Sequence, residues 1–206
     1  MPSLYWQTRY TEQDAIEHHA SQNETISRDF LAVAQTKPRF DWFFRHAASI
    51  IEIGCGTGDL SAMLANAYPQ ARLLATDFSA EAIQVAAERH YQIGRFAIYD
   101  LLRDDPPGSF DLAVCSNTLE HFRDWRAALE RLFLLAASVV VVVPFRQPVT
   151  DDYDGEGGAG HVASFTRRSF SRYQVHDSFV FQTHGWQHSS AGETPKQLAA
   201  LLGRKT

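Results

Sequence analysis

The sequence feature that most constrains the fold is a short apolar run that ends in a glycine-rich turn. Residues 50–60 read Ile-Ile-Glu-Ile-Gly-Cys-Gly-Thr-Gly-Asp-Leu. The β-branched run predicts a buried strand, and Leu60, Met63 and Leu64 then recur at helical spacing. Three glycines at alternate positions carry no Cβ atom, so the backbone can adopt positive φ angles and let a ligand approach closely. The pattern indicates a nucleotide-type binding site at the carboxyl end of a parallel strand.

Strand-like and helix-like segments alternate through the middle of the chain. The predicted strands cover residues 49–53, 72–76, 94–99, 110–115 and 139–143, and the predicted helices cover about 58–67, 81–90 and 123–136. This alternation indicates βαβ units and a parallel sheet. The last strand is a run of five valines, which is typical of a central strand covered on both faces.

The flanking segments have a different character. Residues 24–47 look helical, with Pro38 expected to end or kink the helix at about Lys37. Residues 146–164 are acidic and glycine-rich, and a loop of this length is usually functional or disordered. A short helix is predicted over 166–173 and a strand over 178–183. Helix propensity alone favours a terminal helix at 197–202.

Composition limits the possible functions. The 206 residues suffice for one domain with a substantial core, and the formal charge of −5 argues against a nucleic-acid partner. Cys55 and Cys115 suggest small buried side chains in a reducing compartment. The amino terminus has no secretion-signal pattern, and the longest apolar run, residues 132–145, is too short to span a bilayer. We therefore expect a cytoplasmic protein with a small-molecule partner and no membrane or nucleic-acid contact.

The spacing of the glycine turn distinguishes between cofactor classes. A dinucleotide fingerprint would place its third glycine at position 59, where this chain has Asp59, so a nicotinamide oxidoreductase is disfavoured. The segment from Glu52 to Gly58 instead resembles motif I, E-x-G-x-G-x-G, of class I S-adenosylmethionine-dependent methyltransferases. The resemblance implies that Glu52 orients the turn and the cofactor's ammonium group. It also implies that the cofactor's amino-acid tail lies against the turn residues Gly54, Cys55, Gly56 and Gly58. A structural turn without a ligand is the alternative.

The next strand ends in a carboxylate. Asp77 follows Gly58 by 19 residues, and its two oxygens can accept hydrogen bonds from both hydroxyls of a ribose. In the resemblance it is the acidic residue of motif II. The alternative is that Asp77 serves as a cap for the helix after Ser79. Phe78 is a candidate for contact with the adenine ring or for the core.

Two further strand ends extend the resemblance. The resemblance implies that Asp100, after the third strand, lies near the adenine amine and that Leu101 lies beside the ring. The alternative is that Asp100 is a solvated carboxylate in a loop. Residues 116–121 read Ser-Asn-Thr-Leu-Glu-His and resemble the post-strand motif of small-molecule methyltransferases. Asn117 would then approach the methionine part of the cofactor. The [DNS]-P-P-[YFW] motif of enzymes that methylate exocyclic amines is absent here, which argues against DNA or a glutamine amide as the target.

Two histidines are the candidate catalytic residues. His121 belongs to the post-strand motif, and His161 lies in a segment, Gly160 to Thr166, that resembles the G-H-V-x-x-F-T sequence on the acceptor side of many methyltransferases. A base is needed where the acceptor carries a proton of high pKa. For each histidine a structural hydrogen-bonding role is the alternative.

No metal site is predicted. The acidic residues at 151–156 could hold a cation, but a solvated mobile loop is favoured. This loop is a candidate lid over the acceptor, and Tyr5, Trp6 and Tyr10 either close the opposite side or simply pack against the domain.

Taken together, the resemblance implies an α/β fold of Rossmann-like, doubly wound type. The mostly parallel seven-stranded sheet has helices on both faces and ends in a C-terminal antiparallel β-hairpin, which favours a strand over a helix at 197–202. One domain spans 1–206, with an N-terminal helical or lid segment (1–47), a cofactor-binding core (48–145) and an acceptor-side loop with C-terminal strands (146–206). The expected activity is methyl transfer from S-adenosylmethionine to a small-molecule or sugar-like acceptor; oxygen is the favoured acceptor atom, and nitrogen and carbon stay open as alternatives. A non-catalytic S-adenosylmethionine-binding regulator or scaffold is the alternative.

Overall fold

The structure is a computed structural model that describes residues 10–92, 95–149, 160–184 and 195–205. Within these ranges, α-helices cover Gln13–Ala34 (α1), Pro38–His46 (α2), Asp59–Ala67 (α3), Ala80–Arg89 (α4) and Trp125–Leu135 (α5). The strands are Ser49–Ile53 (β1), Arg72–Asp77 (β2), Arg95–Ile98 (β3), Phe110–Ser116 (β4), Ala136–Pro144 (β5), Gln174–Gln182 (β6) and Lys196–Gly203 (β7). Single 3₁₀ turns lie at Leu119–His121 and Arg167–Phe170.

The seven strands form one sheet in the order β3-β2-β1-β4-β5-β7-β6. Strands β1 to β5 pair in parallel, whereas β7 lies antiparallel between β5 and β6. The chain first builds outward from β1 to β3 and then returns to β4 on the other side of β1. In such sheets ligands bind outside the carboxyl ends of the strands at this reversal. The glycine turn after β1 and the segment after β4 both lie there.

Apolar side chains cover the sheet on both faces. The valines of β5 alternate between two clusters: Val139, Val141 and Val143 join the cluster around α5, and Val140 and Val142 join the cluster around α1, α2 and α3. Successive side chains of a strand point to opposite faces. A strand covered on both sides therefore has no polar position, which explains the uninterrupted valine run.

Most predicted elements are confirmed within one to four residues, but two regions differ in extent. Helix α1 begins at Gln13, well before the predicted start at residue 24, because its first turns are largely polar and exposed and carry little apolar periodicity. Pro38 opens α2 as its first residue, as the missing N–H of proline allows. The predicted short helix over 166–173 is a single 3₁₀ turn. The acidic segment 151–158 lies outside the described residues, as do Tyr5 and Trp6.

The C-terminal segment is a strand, as the resemblance implied and helix propensity did not. Residues 197–203 are buried along their whole length, because β7 pairs with β5 on one side and β6 on the other. Tertiary pairing decides the outcome, because an interior strand satisfies all of its backbone hydrogen bonds within the sheet.

Among the described residues, no helix combines the length and the apolarity required to cross a bilayer.

Shortening a β7 side chain should destabilise the fold strongly. Leu201 is fully buried and lies between Val140 of β5 and Asp177 of β6 in the strand register. Leu201→Ala removes buried methyl groups and leaves a cavity, so the free energy of unfolding should fall by about 2–5 kcal/mol in urea denaturation. Val175→Ala on neighbouring β6 is the control, since Val175 is 41% exposed. Equal losses for the two variants would contradict an interior β7.

Candidate active site

The turn after β1 has the backbone geometry that its glycines predict. Gly54, Gly56 and Gly58 all have positive φ, at 75°, 53° and 81°. The N–H groups of Gly54 and Cys55 donate to the Thr76 carbonyl oxygen at 2.8 and 2.9 Å, which ties the turn to β2. A Cβ atom at Gly54 would lie 2.3 Å from Oγ1 of Thr118, a residue that follows β4. This glycine therefore lets the segments after β1 and β4 approach each other closely.

The middle glycine faces the N-terminal helix. A Cβ atom at Gly56 would lie 3.1 Å from both Tyr10 Oη and Asn23 Nδ2, and 3.7 Å from His19 Nε2. Tyr10 is buried and its ring meets that of His19 edge-on, with centroids 5.6 Å apart. Asn23 Nδ2 also donates to Thr57 Oγ1 at 3.2 Å. Tyr10, His19 and Asn23 therefore cover the turn at Gly56, where only a glycine fits without displacing them.

These α1 contacts are the functional feature that the sequence did not reveal. His19, which belongs to a largely polar part of α1, is half-buried above the turn. No motif marks such residues, because their role depends on how α1 packs across the sheet. The available signal was weak: Asn23 and His19 lie four residues apart on one face of a predominantly polar helix.

Asp77 joins the turn to the next helix. Its Oδ2 accepts the Gly56 N–H at 3.0 Å, and its Oδ1 accepts the Ser79 N–H at 3.0 Å. Burial raises the pKa of Asp77, although these backbone hydrogen bonds favour the charged form. The N-cap residue of α4 is Ser79, whose hydroxyl accepts the Ala82 N–H. The capping role considered for Asp77 therefore belongs to Ser79. Each carboxylate oxygen keeps a further lone pair that can accept a hydroxyl group.

Two more buried carboxylates lie under the turn. Glu52 is 2% exposed and accepts a hydrogen bond from the Ser61 hydroxyl. Burial, with smaller contributions from nearby Asp59 and Asp77, raises the pKa of Glu52 to about 7, although the hydrogen bond from Ser61 opposes this shift. Asp59 is 4% exposed and pairs with Arg89 of α4 at 3.1 Å. Arg89 offsets the charge of Asp59, so the net negative charge here comes from Asp77 and, above about pH 7, from Glu52, and it suits a cationic ligand group.

The predicted adenine contacts lie after β2 and β3. Phe78 and Asp100 are half-buried, and Asp100 Oδ1 accepts the Leu102 N–H at 2.9 Å while Oδ2 lies 3.5 Å from Arg103 Nε. Leu101 is 4% exposed and packs in the apolar cluster around α5. The adenine roles of Phe78, Asp100 and Leu101 stay predictions.

Asn117 marks the end of β4. Its φ of 47° lies in the left-handed region, which asparagine tolerates better than most residues, and its N–H donates to the Val142 carbonyl oxygen at 2.8 Å. This conformation turns the chain at the topological switch point, directly before the 3₁₀ turn that carries Glu120 and His121. Contact between Asn117 and a cofactor stays a prediction.

Both candidate catalytic histidines meet at one buried carboxylate. Glu120 is fully buried, His161 is 8% exposed, and His161 Nε2 lies 3.9 Å from Glu120 Oε1. The rings of His121 and His161 are 5.2 Å apart between centroids. Burial raises the pKa of Glu120 to about 8. The Glu120 carbonyl oxygen accepts the N–H groups of Val162 and Ala163, which joins the segments after β4 and β5.

A cleft with basic walls opens after β5. Phe145, Arg146, Thr166, Arg167 and Arg168 line it. Arg146 has a φ of 57°, and its N–H donates to the Phe165 carbonyl oxygen at 2.9 Å. Arg167 is held by Ser178 of β6 through its hydroxyl and carbonyl oxygens at 2.8 and 3.1 Å. The cleft therefore presents guanidinium groups near the carboxyl edge of the sheet.

The sheet order and the glycine turn at its switch point define the class I methyltransferase fold. The chain resembles the magnesium protoporphyrin IX methyltransferase of Synechocystis PCC 6803, solved with bound S-adenosylhomocysteine, at a TM-score of 0.63 and 16% identity, over 88% of this chain and 84% of that one. Residues 51–138 match the family model described as methyltransferase domain. The family resemblance drawn from the sequence is thereby confirmed for this part of the chain.

Curated relatives match over the same region. Trans-aconitate 2-methyltransferase of Deinococcus radiodurans is 35% identical over 89 residues, which is 43% of this chain and 34% of that protein. Malonyl-[acyl-carrier protein] O-methyltransferase of Acetivibrio thermocellus is 30% identical over 84 residues, 40% of this chain and 30% of that protein. The matched part of the chain therefore spans about a third of the length of these relatives.

The buried Glu52 carboxyl should make stability depend on pH. Because its pKa is about 7 in the folded protein and 4.5 ordinarily, the folded state binds the proton more tightly than the unfolded chain. This stabilisation is complete below about pH 4.5 and is lost as the pH rises through about 7. Glu52→Gln stays neutral and keeps an acceptor for Ser61. The loss of unfolding free energy between about pH 5 and pH 8 should shrink by about 2.5 kcal/mol relative to wild type.

The measurement is urea denaturation at a series of pH values. Glu120 also binds its proton more tightly in the folded state, so some pH dependence will remain in the variant. Glu88→Gln changes an exposed carboxyl on α4 and is the matched control, with a profile expected to follow wild type. Identical profiles for the Glu52 variant and wild type would show that Glu52 is not a proton-binding group of the folded state.

Proposed function

We propose that this protein binds S-adenosylmethionine and transfers its methyl group to an oxygen atom of a small-molecule or sugar-like acceptor. The observation that carries the proposal is the placement of two sites at one edge of the sheet. The glycine turn and Asp77 follow β1 and β2, while the Glu120, His121 and His161 cluster follows β4 and β5. A cofactor held at the first site would project toward the second.

The residues around the turn fit the chemical groups of this cofactor. The buried carboxyl groups of Glu52 and Asp77 would accept hydrogen bonds from an ammonium group, and Asp77 keeps lone pairs for the ribose hydroxyls. The turn residues Gly54, Cys55, Gly56 and Gly58 would lie along the amino-acid tail. Phe78, Asp100 and Leu101 are the proposed adenine contacts, and Asn117 the contact to the methionine part.

When bound, S-adenosylmethionine supplies an electrophilic methyl group that an acceptor oxygen displaces in line, with the electron pair of the broken C–S bond remaining on sulfur as S-adenosylhomocysteine. The protein's contribution is to position the acceptor, exclude water and promote loss of the acceptor's proton. His161 and His121 are the side chains proposed for this last task. His161 is favoured, because it is buried beside a carboxylate that can stabilise a positive charge.

The acceptor site is proposed to include the basic cleft after β5. Arg146, Arg167 and Arg168 would favour an acceptor with an acidic group, since guanidinium pairs well with carboxylate and phosphate. The names of the two relatives, trans-aconitate 2-methyltransferase and malonyl-[acyl-carrier protein] O-methyltransferase, are consistent with acidic acceptors. The partner proposed for this chain is therefore a small, acidic, oxygen-bearing molecule.

Neutralising Asp77 should weaken cofactor binding. Asp77→Asn keeps the size of the side chain but loses the charge and one acceptor, so the Kd for S-adenosylmethionine should rise about tenfold to a hundredfold in calorimetry. The loss should be smaller for a 2′-deoxy analogue, because that ligand lacks one of the hydroxyls assigned to Asp77.

The matched control is the same change at the opposite edge of the sheet. Asp111 Oδ2 accepts the backbone N–H groups of Ala48 and Ser49 at the start of β1, so Asp111→Asn should leave the Kd unchanged. An unchanged Kd for Asp77→Asn, or an equal loss with both ligands, would refute the ribose assignment.

Removing the buried imidazole should affect turnover more than cofactor affinity. His161→Ala should lower S-adenosylhomocysteine formation with a metabolite pool by about 10²- to 10⁴-fold, while the Kd for S-adenosylmethionine changes little. His46→Ala is the control, because His46 is exposed and stacks on Trp42 just before β1. Wild-type turnover in His161→Ala would exclude the residue from catalysis. Cofactor binding by the wild type without any product would favour the alternative, a non-catalytic binding protein.

A further inference from the structure

The buried carboxyl group of Glu120 lacks the hydrogen bonds that folded proteins usually give to such a group. Its side chain is fully buried, and neither carboxylate oxygen has a hydrogen-bond partner within the part of the chain that the structure describes. A buried carboxylate without hydrogen bonds or a counter-charge is costly. Other buried carboxylates nearby are satisfied: Glu52 by Ser61, and Asp77 by two backbone N–H groups. The Glu120 oxygens are therefore available to a ligand, and a cation is the kind of ligand that would favour the charged carboxylate.

Two imidazoles converge on the same point. One ligand atom each from Glu120, His121 and His161 lies within 4.8 Å of the other two. The Glu120 Oε1 to His161 Nε2 distance is 3.9 Å. Ligands at about 2.0–2.2 Å from a tetrahedral cation lie roughly 3.3–3.6 Å from one another. Displacements of these side-chain atoms by about an ångström would bring them to this spacing.

The surrounding backbone holds these side chains in place. His121 Nδ1 lies 3.2 Å from the Gly160 carbonyl oxygen, and a ring that donates its Nδ1–H there keeps its Nε2 unprotonated. Histidines that bind metal ions usually donate their other ring N–H to such an oxygen. The Glu120 carbonyl oxygen accepts the N–H groups of Val162 and Ala163 at 2.9 and 3.2 Å, which fixes the two segments against each other.

We propose that Glu120, His121 and His161 together bind a divalent transition-metal cation of the zinc type. Two imidazole nitrogens and one carboxylate form a donor set suited to such ions, whereas magnesium and calcium prefer oxygen ligands. Three protein ligands leave at least one coordination position for another molecule. The half-buried His121 provides the exposed side of the site through which a ligand can enter. The prediction from sequence that no residue binds a metal is thus revised by this proposal.

The metal site also restricts the class of acceptor, and this inference rests on the proposed methyl transfer. A cation at this position would hold an acceptor hydroxyl, lower its pKa and let its proton pass to solvent, so that the oxygen attacks the methyl carbon as an anion. Acceptors with two neighbouring oxygen donors, such as a vicinal diol or a hydroxy acid, would bind most favourably. His121 and His161 then act as ligands that promote proton loss through the cation.

Metal binding is tested directly on the full chain, without any acceptor. Protein freed of metal with a chelator is titrated with Zn²⁺ in competition with a chromophoric chelator, and with Co²⁺ by visible absorption. One tight site per chain is expected, with the absorption of a low-coordinate Co²⁺ site. Glu120→Gln and His161→Ala should each weaken Zn²⁺ binding by about a hundredfold or more, since even changes outside the ligand set cost 10- to 100-fold. His46→Ala should match the wild type.

Three outcomes would overturn the proposal: no tight Zn²⁺ site in the wild type, equal affinity in wild type and Glu120→Gln, or tighter binding of Mg²⁺ than of Zn²⁺. Glu120→Gln preserves the shape of the side chain, and circular dichroism establishes that each variant is folded. The proposed methyl transfer fails by a different result, the absence of S-adenosylmethionine binding or of product. Chelation should leave the affinity for S-adenosylmethionine unchanged, so the two failures are distinguishable.

Discussion

The hydrogen bonds between the glycine turn and the end of β2 are the constraint on which the rest of the site depends. Thr76 accepts two N–H groups of the turn through its carbonyl oxygen, and Asp77 accepts a third through its carboxylate. The same carboxylate also holds the N–H of Ser79, where α4 begins. One acidic side chain thereby fixes the turn, the strand and the next helix relative to one another.

Charge is distributed unevenly along the carboxyl edge of the sheet. Buried carboxylates lie under the turn at Glu52, Asp59 and Asp77, and a fourth lies after β4 at Glu120. Guanidinium groups line the cleft after β5. The edge therefore passes from a negative region suited to a cationic cofactor to a positive region suited to an acidic acceptor. The cluster of Glu120, His121 and His161 lies in the segments that follow β4 and β5. The residues of the basic cleft follow β5 as well.

Much of the fold follows from local sequence patterns. Alternation of apolar strands with amphipathic helices predicted β1 to β5 and their helices, because a parallel strand covered on both faces has no polar position. The glycine spacing predicted the turn and its positive φ angles. Patterns failed where tertiary contacts decide: α1 begins in polar residues that carry little periodicity, and β7 has high helix propensity but pairs on both sides. The resemblance, not propensity, identified β7 correctly.

The sequence by itself determined the order of the elements, the turn and the positions of the strand-end residues, since these depend on neighbours within a few positions along the chain. It could also suggest that His121 and His161 share one edge, because the carboxyl ends of parallel strands meet there. Only the tertiary structure decided that Glu120 lies fully buried beside His161 and that Tyr10, His19 and Asn23 cover Gly56. These features depend on how distant segments pack, and burial is a property of the packed assembly that no short window of sequence contains.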